Sequence, residues 1–106
     1  MIRLLACAFA ASSLSLPALA GPEDFKPGPA IPTYGKVAAV PDAERLNKDA
    51  VFKIAFDTAA AAEPGKVNRT LESAARFLNM HEAVGIPASN IQLAVVVHGG
   101  AYADLL

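Results

Sequence analysis

Between residues 51 and 100 two apolar runs flank one amphipathic stretch, the pattern of a strand-helix-strand unit of a parallel sheet. In residues 51–57, Phe52, Ile54 and Phe56 alternate with Val51, Lys53, Ala55 and Asp57. That alternation predicts a strand with one strongly apolar face and one wetter face. Ile91–Val97 is nearly continuous in apolar residues, broken only by Gln92, which predicts a strand covered on both faces. Between the two runs, Leu71, Ala74, Ala75, Phe77, Leu78 and His81 recur at three-to-four spacing and predict a helix over residues 69–84. Arg69, Glu72, Ser73, Arg76 and Glu82 fall on its opposite side. The local punctuation agrees: Pro64-Gly65 makes a turn, Asn68 caps the helix, Glu72 complements its first turn, and Gly85 followed by Pro87 stops it. Right-handed crossover connectivity then lays this helix on one face of the sheet. Residues 101–106 read as the opening of a second helix. The expected class is α/β, a partial three-layer parallel-sheet domain.

Upstream the pattern dissolves. Residues 21–32 carry Pro22, Pro27, Pro29 and Pro32, which disfavour both helix and sheet interior, and residues 21–50 read as a proline-rich arm or linker. Within it, residues 33–40 predict a short strand at a sheet edge, and residues 42–48 a turn or single helical turn opened by Asp42. Residues 1–20 read as a secretory signal peptide, with Arg3 at its start, a short apolar core over residues 4–16, and Ala18-Leu19-Ala20 as the cleavage site. The apolar core is too short to span a bilayer, so the expectation is a periplasmic protein with no stable membrane insertion after cleavage.

Cleavage changes the chemistry left to the chain. Its one cysteine, Cys7, goes with the signal segment. A lipoprotein reading of Cys7 fails because no apolar core precedes it. The mature chain then has no disulfide, no thiolate nucleophile and no thiolate metal site, and neither a metal nor a cofactor is expected. The formal charge of -1 becomes one unit more negative with the loss of Arg3. Without a basic cluster and with few aromatics, nucleic acid is excluded as a partner. So small a domain buries a marginal core, which points to a homo-oligomer or to further chain.

Ligands of open parallel sheets sit outside the carboxyl ends of the strands. Here those ends carry Asp57 and His98-Gly99-Gly100, the candidate binding residues for a small molecule of unknown identity. His98 offers an imidazole, and Gly99 and Gly100 offer backbone donors close to a ligand. The plainer reading makes the glycines turn residues and His98 and Asp57 structural groups. His81 reads as a half-buried helix residue, Lys53 as a side chain reaching out from the wetter strand face, and the Asn68-Arg69-Thr70 glycosylation pattern as a coincidence with capping. The His-Gly-Gly run also raises an α/β-hydrolase fragment, against which stands the lack of a Gly-x-Ser-x-Gly elbow.

Four segments in order, residues 52–57 (Phe-Lys-Ile-Ala-Phe-Asp), residues 66–69 (Lys-Val-Asn-Arg), residues 75–80 (Ala-Arg-Phe-Leu-Asn-Met) and residues 95–101 (Val-Val-Val-His-Gly-Gly-Ala), resemble the secreted members of the DsrE/DsrF-like proteins. The resemblance covers about residues 33–106. It implies a compact α/β sheet domain, often a homo-oligomer, whose better-known members carry sulfur as a cysteine persulfide in relay reactions. In those relatives the reactive cysteine follows a later strand, corresponding to chain beyond Leu106, so no catalytic position carries over. Two expectations stay open: a periplasmic sulfur-handling protein of which these residues are the front part, its reactive cysteine region absent from this chain, or a non-catalytic oligomeric binding module of unknown ligand.

Overall fold

The computed structural model describes residues 21–106. The expected signal peptide, residues 1–20, lies outside the described residues. A 3-10 turn at Pro22–Asp24 leads into β1 (Phe25–Lys26), which pairs antiparallel with β2 (Val37–Ala38). Then come β3 (Phe52–Thr58), α1 (Arg69–Ala83), a 3-10 turn at Ala88–Asn90, β4 (Ile91–Val97) and a 3-10 helix at Gly99–Leu105. Strands β3 and β4 pair in parallel, with Phe52 opposite Ile91 and Thr58 opposite Val97. The class is α/β: a parallel strand pair joined through a helix.

The alternation of β3 does what its spacing demands. Phe52, Ile54 and Phe56 are half-buried against α1, while Lys53, Ala55 and Asp57 are exposed. Phe77 of α1 meets Phe52 and Phe56 edge-on, at ring separations of 6.3 and 6.1 Å. The strand runs one residue later than its apolar pattern suggests, because Thr58 continues the ladder and is buried while Val51 is exposed. In β4 the expectation of two covered faces does not hold among the described residues. Ile91, Leu93, Val95 and Val97 turn to α1, whereas Gln92, Ala94 and Val96 are exposed. The chain between the strands supplies one helix, which covers one face, so the third layer of the expected domain is not among the described residues.

Helix α1 starts where Asn68 Oδ1 accepts from the Thr70 N–H. It ends in a left-handed Gly85 (φ 104°), with Gly85 N–H donating to Glu82 O and Ile86 N–H to His81 O. This paired 6→1 and 5→2 closure satisfies the last carbonyls and folds the fully buried Ile86 beneath the helix end.

The arm lies on α1 away from the sheet. Asn79, fully buried, accepts at Oδ1 from the N–H groups of Ala30 (3.0 Å) and Ile31 (2.7 Å). Its Nδ2 donates toward the carbonyls of Ile31, Tyr34 and Gly35. Glu72 Oε1 accepts from Gly35 N–H at 2.9 Å, and Arg76 Nε donates to Lys36 O at 2.9 Å. Thus Glu72 and Arg76, on the helix side opposite the sheet, bind the main chain of the arm while staying partly exposed. The strand expected within residues 33–40 is β2, and it joins β1 in its own ribbon instead of the edge of the main sheet. Around Asp42 (φ 60°) the chain makes a turn and no helix, closed by Ala43 N–H on Val40 O. The expected second helix after β4 is the 3-10 helix Gly99–Leu105.

Candidate functional site

The carboxyl end of the sheet brings Asp57 and His98 together. Asp57 is the last open-face residue of β3, opposite Val96, and His98 follows β4 in the same phase with extended backbone (φ -147°, ψ 177°). His98 Nε2 lies 2.9 Å from Asp57 Oδ1 and 3.0 Å from Oδ2. A carboxylate only accepts, so Nε2 carries the proton and Nδ1 of the neutral ring presents a lone pair. The side chains are 52% and 68% exposed, and a contact so wet is worth at most about 1 kcal/mol. Its chemical use is orientation: the carboxylate fixes the imidazole tautomer and turns a hydrogen-bond acceptor outward.

Gly99 and Gly100 sit beside this pair, and the left-handed backbone at the first of them favours glycine. Gly99 has φ +56°, and a Cβ on either residue would press within 3.2 to 3.4 Å of Ala59 O. As the first residues of a 3-10 helix, their N–H groups have no acceptor within it. His98 N–H donates to Thr58 O and Ala101 N–H to Ala59 O, stitching the end of β4 to the loop after β3.

Beneath the edge lies a polar lock. Thr58 Oγ1 donates to Asn68 Oδ1, and Asn68 Nδ2 donates to Ala60 O (3.1 Å) and Asp104 Oδ2 (2.8 Å). Asp104 also accepts from Ala62 N–H. Asn68 is therefore occupied and buried, in keeping with a cap. His81 is a packing residue: Nδ1 donates to Phe77 O at 2.7 Å, and its ring lies 3.9 Å from that of Phe77 and 4.8 Å from that of Phe52.

Among the described residues no three His, Cys, Asp or Glu side chains are grouped so as to hold a metal ion, and no helix is long and apolar enough to cross a membrane. Two open surface grooves lie elsewhere. One, of about 550 Å³, is between the arm and α1; the other, of about 570 Å³, is bounded by Lys48, Asp49, Glu82, Gly85, Ile86, Pro87 and Asn90.

Asn79 and Asp104 are the polar residues that the sequence reading overlooked. For Asn79 the signal was present: a short amide four residues after Ala75, in a buried helical phase, needs partners from outside the helix. No family model matches the chain, and no curated protein or solved structure matches it.

Proposed function

We propose that this chain is a non-catalytic binding and assembly module, a DsrE-like α/β unit in which two copies stack through the open faces of their β3–β4 sheets, with the Asp57–His98 pairs at the rim. The carrying observation is the order of charges on that face. Lys53 and Asp57 stand at the two ends of β3 with Ala55 between them, and Ala94 pairs with Ala55 on β4. Residues four apart on a strand are about 13 Å apart. A two-fold axis between the stacked sheets, perpendicular to the strands at the level of Ala55 and Ala94, lays Lys53 of one copy over Asp57 of the other, twice, around a small apolar middle extended by Val96, which is 52% exposed. Parallel strands with a bare face are rare, which supports a covering partner.

The DsrE-like form rests on the four resembling segments, which fall on β3, at the cap of α1, within α1 and at the end of β4. Sulfur transfer needs a thiolate, and Cys7 lies in the expected signal segment, so binding is the activity proposed for these residues.

Sedimentation of the purified protein tests the assembly. The wild type is expected to be a dimer. Lys53→Glu and Asp57→Lys each set like charges against each other and are expected to give monomers, while the double variant exchanges the charges and restores the dimer. A monomeric wild type, or a double variant no better associated than the single ones, overturns the proposal.

A further inference from the structure

We infer that the groove between the arm and α1 is a binding site for a small monocarboxylate with an aromatic or branched apolar body. The site is an open groove of about 550 Å³ on the surface, lined by Pro22, Phe25, Thr33, Lys36, Glu72 and Arg76. It lies on the side of α1 away from the open sheet face, so it stands independently of the assembly proposed above.

The polar side of the groove is held in place before any ligand arrives. Arg76 is fixed by its Nε bond to Lys36 O, and its Nη2 lies 3.6 Å from Glu72 Oε1. Glu72 is fixed in turn by the Gly35 N–H. These bonds leave the guanidinium little freedom to lose on binding, which favours affinity. Lys36 makes no ion pair among the described residues, so its ammonium is available to a ligand. Two cations against one carboxylate leave the lining one positive charge in excess, the complement of a monoanion. A phosphate-sized dianion would meet Glu72 at close range, and a ligand cation would meet Lys36 and Arg76.

The apolar side comes from Pro22 and Phe25. Phe25 is 42% exposed, an aromatic ring left wet at the edge of a concave wall. An aromatic or branched ligand body covers that ring while its carboxylate reaches Lys36 and Arg76, a division of roles usual in small-molecule sites.

The test uses phenylacetate and its neutral isostere phenylacetamide, titrated into the purified protein and followed by amide NMR shifts. Phenylacetate is expected to shift the amides of Phe25, Gly35 and Lys36 saturably, leaving Asp57 and His98 unmoved. The amide is expected to bind about tenfold more weakly, as the loss of one charge-assisted contact would give. Lys36→Gln, at an exposed and unpaired side chain, is expected to lose about the same factor, while Lys36→Arg retains binding. Phe25→Ala lowers affinity for phenylacetate and leaves that for acetate unchanged. Absence of saturation, equal binding of acid and amide, or unaltered binding by Lys36→Gln each overturns the inference. None of these outcomes bears on whether the sheet faces pair.

Discussion

At the scale of single residues, Asn79 links two segments that sequence separates by more than forty positions. Its side chain has two acceptor lone pairs and two N–H groups, all turned to the main chain of residues 30–35. Asn79→Ala strands several buried backbone groups at once and is expected to cost about 3 kcal/mol by urea denaturation. Asn79→Asp keeps the accepted bonds but turns an oxygen toward three carbonyls, so it is expected to be no milder. An alanine variant within about 0.5 kcal/mol of wild type would remove Asn79 from this role. The capping of α1 by Asn68 was legible from local spacing, because a cap needs only the next few residues. The anchoring by Asn79 was not, because its partners lie in an arm whose prolines announce only what the segment avoids. The candidate site divides the same way. Strand period and parallel topology bring Asp57 and His98 to one edge, whereas their hydrogen bond depends on the register of Asp57 with Val96, which no local pattern encodes.

At the scale of elements, α1 serves two partners. One side offers Phe77 and His81 to the phenylalanines of β3, and the other offers Glu72, Arg76 and Asn79 to the arm. The polar side was readable as polar, but the arm that packs on it was not, since periodicity reports polarity and not what satisfies it. Close approach of the arm depends on Gly35, whose φ is +69° and where a Cβ would collide with the backbone at Ala75 and Arg76. Gly65 has a similar φ of +74° but open space around it. Gly65→Ala therefore carries only the left-handed backbone penalty of about 1 kcal/mol, and Gly35→Ala adds a clash that lifts the arm. Thermal unfolding is expected to rank Gly35→Ala clearly below Gly65→Ala. Equal melting temperatures would mean that the arm is not pressed onto the helix.

At the scale of the whole molecule, the described chain is layered as arm, helix and sheet, with the far side of the sheet uncovered. The α/β class was legible because period two, then period 3.6, then period two is a pattern that few other arrangements satisfy. The missing cover on β4 was not, since Val95, Val96 and Val97 record what the strand tolerates and not which chain provides it. The same layering separates two surfaces by the thickness of a helix. A carboxylate between arm and α1 and a second copy on the sheet are expected to bind without competing, each in its own assay.

No turn joins β3 to β4. A hairpin can zip from its loop, but Phe52 meets Ile91 only after the chain has carried α1 across the sheet. Every ladder bond thus waits on one long closure, and the helix is the bridge that shortens it. Folding speed, and not only the depth of the native well, should depend on how readily α1 forms. Ala74→Gly, which weakens the middle of that helix by about 1 kcal/mol, is expected to slow refolding in stopped-flow experiments. A change confined to the unfolding rate would place helix formation after the decisive step.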